Sequence, residues 1–397
     1  MFLEGEKNLR PARRLDRIPP YLFAELSRKR EAAKARGVDV IDLGIGDPDR
    51  PTPPHIIEAL ARASHDPSTH RYPHDLGAPD FRQAASRWFD GRFGVDLDPE
   101  EEILGVIGSK EGLAHLVWAF IDPGDIALVP DPAYPVYMNQ TLLAGGDPFV
   151  MPLEAERGFL PDLDAIPADV ARKARVMFIS YPNNPTGGTA DLAFFEQVVA
   201  YAKQHDILVC HDAAYTEVVL GDYVAPSILE VPGARETAIE FHSLSKPFNM
   251  TGWRVGFAAG GAAAVKPLAA IKNHTDSGQF TAIQRAGITA LLETPDSFHA
   301  ELKSVYERRA DVMVKALADI GLDVQAPRGT FYLWVPVPDG YSSEAFCAEV
   351  LEQCGVLVSP GNAYGRHGQG FFRISLTASD ERLVEAGRRL RSNISFG

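Results

Sequence analysis

The 397-residue sequence predicts an α/β protein: a largely parallel sheet buried between helices, followed by a smaller α+β portion. Two observations carry this prediction. Between about residues 100 and 260, short apolar runs rich in β-branched residues alternate with amphipathic stretches, as in parallel sheets covered by helices on both faces. After about residue 265 the alternation gives way to long helical stretches and then to isolated strands, which reads as a separate α+β layer joined by the N-terminal segment.

In chain order the apolar runs are ILGVIG (103–108), IALVP (126–130), VMFIS (176–180), ILVCH (207–211), AIEFH (238–242) and VGFAA (255–259). The stretches between them at 110–120, 135–144 and 191–204 predict helices, the last opened by Asp191 and carrying Phe, Val and Ala at helical spacing. Helices are expected at 281–293 and 296–320, strands at 330–335 and 370–376, and a last helix from Asp380. The segment Asp42 to Pro54 (DLGIGDPDRPTPP) is too dense in Gly, Pro and Asp for a regular element, and is either a connector or a loop lining a site.

Composition excludes several classes of function. With 39 Lys+Arg against 53 Asp+Glu, the net charge of -14 repels phosphate backbones and anionic lipid, and no basic patch offsets it, so neither a nucleic-acid nor a membrane partner is expected. The longest apolar run, Val255 to Val265, has 11 residues, well short of the roughly 20 that cross a bilayer. The charged N-terminus has no signal-peptide pattern, and Cys210, Cys347 and Cys354 are too scattered for a disulfide framework. A cytoplasmic protein is expected. The 11 histidines include no HExxH and no His/Cys cluster at ligand spacing, so no metal site is expected.

The sharpest motif is Ser243-Leu244-Ser245-Lys246, followed by MTGWRVGF with Arg254 eight residues after the lysine. Most lysines are solvated surface charges, but Lys246 closely follows a buried-type strand, beside two hydroxyls and close to an arginine. That arrangement suits a phosphate held beside an amine. A desolvated lysine near cations has a lowered pKa and is nucleophilic at neutral pH, which points to a Schiff base with pyridoxal phosphate.

Such a cofactor also needs a carboxylate for its ring nitrogen, donors for its phosphate and a ring to stack on. Asp212 ends ILVCHD, at the strand edge where α/β proteins bind ligands, although an Asp there can also simply cap the next turn. Tyr215 follows three residues on. Ser109 and Lys110, in Gly108-Ser109-Lys110-Glu111-Gly112 between a strand and a helix, offer an anion site of a common kind. Tyr134 in DPAYPVY is either packing or a stacking face. YPNNPTG (181–187) is either a rigid loop or one that aims Asn184 into the site. Arg373, on the apolar run FFRISL, needs an anionic partner: a structural carboxylate or that of a substrate.

Taken together, Gly46, Tyr72, GSKEG, DPAYPVY, YPNNPTG, HDAAY, SLSK, the WRVG arginine and FFRISL resemble, in this order, the fold-type I aminotransferases of class I/II over nearly the whole chain. PPYLF (19–23), DLGIGDPDRPTP, HRYP, GSKEG, YPNNPTG and SLSKPFNMTGWR are similar to the LL-diaminopimelate aminotransferase group, with departures at Pro247 and at NAY (362–364).

The resemblance implies an N-terminal arm and part of the small domain over 1–45, a large pyridoxal-phosphate-binding domain over 46–275 with a sheet of the seven-stranded type, and connecting helices with a small α+β domain over 276–397. It implies that Lys246 binds the cofactor aldehyde and moves the proton, with Asp212 on the ring nitrogen. Tyr215 and Asn184 would meet the phenolic oxygen, Tyr134 would stack on the ring, and Ser109, Lys110, Ser243, Ser245 and Arg254 would surround the phosphate. Tyr72 would reach the phosphate of a second subunit, making composite sites in a homodimer. Arg373 would clamp the substrate α-carboxylate beside Gly46 and Tyr21. The implied reaction exchanges an amino group between an amino acid, such as LL-diaminopimelate, and a 2-oxo acid such as 2-oxoglutarate. Alanine- or aspartate-type transamination and C–S β-elimination use the same scaffold. A transcriptional regulator does not fit, because only about 20 residues precede PPYLF, too few for a winged helix.

Overall fold

The computed structural model describes residues 10–394. Its first α-helix, α1 (Leu22–Ala35), leads to a two-residue strand, β1 (Ile41–Asp42), and then to the turn-rich segment that the sequence leaves irregular. Two helices follow, α2 (Pro54–Ser64) and α3 (Pro79–Phe93), each with a proline in its first turn, where the missing N–H costs nothing.

Next come β2 (Ile103–Val106), α4 (Ser109–Phe120), β3 (Ile126–Asp131), α5 (Val136–Ala144), β4 (Asp147–Pro152), a single turn α6 (Ala168–Ala171), β5 (Ala174–Ile179) and α7 (Leu192–His205). After them come β6 (Leu208–Asp212), β7 (Ala238–Ser243), β8 (Gly256–Gly260), α8 (Ala262–Asn273) and α9 (Thr281–Glu293). The strands form a seven-stranded sheet in the order β2-β8-β7-β6-β5-β3-β4. β8 runs opposite to the other six strands, so that its pairings with β2 and β7 are antiparallel and the remaining four are parallel.

Because strand side chains alternate between faces, successive residues enter different apolar layers. Val176 and Phe178 pack with Leu116, Val136 and Leu268 of α4, α5 and α8, whereas Met177 and Ile179 pack with Phe89, Phe195 and Ala286 of α3, α7 and α9. Burying a side chain of the size of Phe178 contributes about 1.5–3 kcal/mol, so these two layers hold the sheet edge rigid. One strand, β4, has no counterpart among the apolar runs. It lies at the sheet edge and contains Pro148 and Pro152, residues that argue against a central strand but are tolerated where no second neighbour needs the N–H.

The C-terminal part contains α10 (Asp296–Ala318), β9 (Tyr332–Pro336), α11 (Ser343–Cys354), β10 (Val356–Leu357), β11 (Ser359–Pro360), β12 (Phe371–Ser375) and α12 (Asp380–Asn393). An antiparallel sheet of order β11-β12-β9 packs on these helices, and β1 pairs in parallel with β10, tying the N-terminal segment to this layer. Ile41 and Leu43 share its core with Phe331, Val356 and Ile374. Among the described residues, no helix is long and apolar enough to cross a membrane.

Candidate active site

The parallel strands all end at one sheet edge, and their last residues carry the chemistry. Asp212 is the final residue of β6, and Ser243 that of β7, with Ser245 and Lys246 just beyond. β5 feeds Ser180 and then Asn184, β3 leads to Tyr134, and β2 passes through Gly108 to Ser109 at the start of α4. Since β8 runs the other way, its beginning lies at this edge, which brings in Arg254 two residues before Gly256.

Eleven of the residues singled out from the sequence line one cavity of about 250 Å³: Gly46, Ser109, Lys110, Tyr134, Asn184, Asp212, Tyr215, Ser243, Ser245, Lys246 and Arg254. Three do not. Tyr21 lies at a neighbouring cavity of about 320 Å³ that shares Tyr134, and its hydroxyl accepts a hydrogen bond from Lys110 Nζ at 3.3 Å. Tyr72 is 88% exposed, outside its own chain's cavity, and Arg373 lies behind the wall formed by Asn184 and Tyr332.

Lys246 Nζ donates to the carbonyl of Gly46 at 3.0 Å and sits 5.8 Å from the ring centre of Phe331. Burial, aided by Arg373 and Arg254 and opposed by Asp47 and Asp212, lowers its pKa to about 8. A far larger fraction of this amine is therefore uncharged near neutral pH than of an ordinary lysine. At Gly46 a side chain would run into the hydroxyl of Tyr332, which explains a glycine at this contact.

Asp212 faces the same layer as Cys210, and Tyr137 donates to its Oδ2 at 2.8 Å while Ser180 Oγ donates to its main-chain carbonyl at 3.0 Å. Its other carboxylate oxygen, Oδ1, is buried without a hydrogen-bond partner. Burial raises the Asp212 pKa, against the Tyr137 hydrogen bond and the nearby histidines. A cation at Oδ1 would remove that penalty. On the opposite face of β6, His211 Nε2 lies 3.2 Å from both the N and O of Tyr181, anchoring the YPNNPTG loop.

At the far end of the cavity Ser109, Ser243, Ser245 and Arg254 cluster around the N-terminus of α4. Arg254 adopts φ 57°, and its Nη1 reaches the Thr251 carbonyl at 2.9 Å and Ser245 Oγ at 3.5 Å. Its guanidinium occupies the space that a side chain at Gly108 would fill. Helix N–H groups, hydroxyls and a guanidinium together form an anion site. The whole set suits a ligand with a phosphate at one end, a basic ring nitrogen at the other and a carbonyl near Lys246, which is the outline of pyridoxal phosphate.

Arg373 is completely buried. Its Nη1 donates to Asn184 Oδ1 at 2.8 Å and its Nη2 to the Gly44 carbonyl at 2.7 Å, while Nε has no partner. The rings of Tyr332 and Tyr364 lie 3.9 and 4.8 Å from the guanidinium carbon. Among the described residues no carboxylate forms an ion pair with it. Of the two partners open from the sequence, the structural Asp or Glu is thus absent.

Tyr332 lies outside the quoted motifs, and Tyr137, the last residue of DPAYPVY, is given no role by the sequence. Tyr332 Oη bonds Tyr215 Oη at 2.9 Å and underlies Arg373, and Tyr137 holds Asp212 while stacking on Phe178 at 5.1 Å. The sequence signal for Tyr137 is its place in DPAYPVY, three residues after Tyr134.

A fold of this order, with an amine, a carboxylate and an anion cradle at one strand edge, is the fold of the fold-type I pyridoxal-phosphate transferases. The family description aminotransferase class I and II matches residues 38–390, and the chain belongs to that family; it is an aminotransferase. Its relatives include the LL-diaminopimelate aminotransferase of Moorella thermoacetica, 54% identical over 383 residues (96% of this chain, 98% of the relative), and that of Gloeobacter violaceus, 53% identical over 391 residues (98% and 100%). Similar solved structures include substrate-bound BacF from Bacillus subtilis, with a TM-score of 0.94 and 36% identity over 98% of this chain and 99% of that one. A mutant aspartate aminotransferase from Thermus thermophilus has a TM-score of 0.90 and 28% identity over 97% and 99%.

Proposed function

We propose that the chain exchanges the amino group of LL-diaminopimelate with 2-oxoglutarate, using pyridoxal phosphate. The observation that carries the reading is the buried, carboxylate-free Arg373 beside a cavity that holds both Lys246 and Asp212. When bound, the cofactor supplies an aldehyde that takes the amino group and a ring that accepts the electron pair left when the α-proton departs.

The protein's residues do the rest. Lys246 would hold the aldehyde carbon, and its amine, once released, takes the α-proton of the amino acid and returns a proton on the far side of the exchange. Asp212 keeps the ring nitrogen protonated, with Tyr137 fixing the carboxylate. Tyr215 and Asn184 would meet the phenolic oxygen, and Tyr134 would cover the ring. Ser109, Ser243, Ser245 and Arg254 would hold the phosphate, with Lys110 at the rim. Tyr72, exposed on its own protomer, would reach the phosphate site of a second copy, making the working form a homodimer. A cytoplasmic location fits these substrates.

Arg373 would bind the substrate α-carboxylate through the planar edge that now carries an unpartnered Nε. Lys110 and Tyr21, bonded at the boundary of the neighbouring cavity, are placed to meet the distal end of a long diamino diacid. The identity to LL-diaminopimelate aminotransferases over almost the whole chain supports that substrate. Glutamate formation from 2-oxoglutarate should be at least about tenfold more efficient with LL-diaminopimelate than with alanine or aspartate, a difference of about 1.4 kcal/mol in transition-state binding. A preference for alanine or aspartate would refute the substrate. Arg373→Ala should raise KM for the amino donor about 100-fold, near the lower end of the cost of truncating one side of a buried charge pair. An unchanged KM would remove the clamp.

A further inference from the structure

Glu111 of the GSKEG motif takes no part in the chemistry above, yet it stands in the first turn of α4, beside the anion cradle. Its Oε2 accepts the N–H of Ile107 at 2.8 Å, fixing the strand-to-helix turn that presents Gly108 and Ser109. A carboxylate there would repel a bound phosphate if left alone.

It is not alone. Lys272 of α8, 2% exposed, donates from Nζ to Glu111 Oε1 at 3.3 Å and to both oxygens of Asp276 at 2.9 Å. The ammonium thus bonds two of the three members of the Glu111, His115 and Asp276 cluster, whose donor atoms lie close enough to hold a metal ion, while His115 pairs with Glu111. Asp276 Oδ1 in turn accepts the N–H of Gly278 at 2.6 Å, and the side chain of the next residue, Gln279, donates to the main-chain carbonyls of Trp253, at 2.8 Å, and Arg254. The same turn packs against Pro73, next to Tyr72.

One buried ammonium therefore links the two halves of the cradle: the Gly108–Ser109 turn through Glu111, and the backbone of Arg254 through Asp276, Gly278 and Gln279. We propose that Lys272 is a positioning residue for the cofactor phosphate, setting the spacing between the helix N-terminus and Arg254 and neutralising Glu111. Lys272 does not line the cavity, and its effect rests on the pyridoxal-phosphate reading of the site. Asp276 fits this arrangement: burial works against its charge, but the bond from Lys272 keeps its pKa below the usual value.

The test compares dissociation constants for pyridoxal phosphate and for pyridoxal, which lacks the phosphate, in the wild-type apoprotein and in K272M. Pyridoxal phosphate should bind K272M about tenfold more weakly, the effect of breaking a charge-assisted network. Pyridoxal should bind within about twofold of wild type, since the ring and aldehyde contacts are untouched. If K272M does not fold, D276N keeps the shape and the Gly278 contact but loses the ion pair, and should show the same selective weakening. Equal weakening of both ligands, or no loss of pyridoxal phosphate affinity in the folded variant, would overturn the inference. A wild-type protein that binds neither ligand would instead refute the cofactor reading.

Discussion

Replacing Lys246 by alanine is expected to lower the turnover number by about a thousandfold or more, the scale on which a positioned acid–base group acts. The fold, read by circular dichroism, should be unchanged. Among the described residues, Lys246 brings to the cavity a buried amine whose lowered pKa makes it competent both to bind an aldehyde and to move a proton near neutral pH. Its removal takes away one hydrogen bond to Gly46 and a buried amine, while leaving the sheet edge that Phe178, Phe241 and Val129 support. Turnover within tenfold of wild type in a folded Lys246→Ala protein would remove the lysine from the mechanism.

Asp212→Asn is the second large effect. Asparagine can keep the hydrogen bond from Tyr137 but carries no charge, so the ring nitrogen would lose the partner that keeps it protonated, and turnover should fall about a thousandfold. The effect on stability should have the opposite sign. Burial raises the folded-state pKa of Asp212 above its unfolded value. The folded form then binds the proton more tightly than the unfolded chain, and stability is lost as pH rises from the unfolded pKa towards the folded one. At neutral pH the apoprotein of Asp212→Asn should therefore melt no lower than wild type, while gaining less from added cofactor. A lower melting temperature with normal turnover would mean that Asp212 is a structural residue.

Much of the site is legible in the sequence because its parts are local. Strand ends are visible as apolar runs that stop at a polar residue, and for that reason the sequence pattern alone puts Asp212, Ser243 and Lys246 at one sheet edge. The SLSK motif and Arg254 lie only eight residues apart, across the turn between β7 and β8, so their proximity follows from the chain itself.

The parts that are not legible depend on packing between distant segments. Tyr332 reaches Tyr215 from 117 residues away, and on a strand with Phe331, Leu333 and Trp334 it reads as core. Tyr137 sits among apolar residues of α5, where a tyrosine signals packing unless an acid is known to face it. The partner of Arg373 is open in the sequence for the same reason. Only the three-dimensional neighbours, Asn184, Gly44 and two tyrosine rings, reveal that no carboxylate is there. Edge strand β4 is hidden by prolines that only an edge position tolerates.

Lys246 and Asp212 would together operate pyridoxal phosphate on an amino acid. The visible absorption spectrum of the purified protein, supplied with pyridoxal phosphate and then titrated with LL-diaminopimelate, tests it most directly. A yellow band that bleaches on addition of the amino acid and returns with 2-oxoglutarate is the predicted result, with neither change in Lys246→Ala. A protein that stays colourless with pyridoxal phosphate, or a yellow band that no amino donor bleaches, would contradict it.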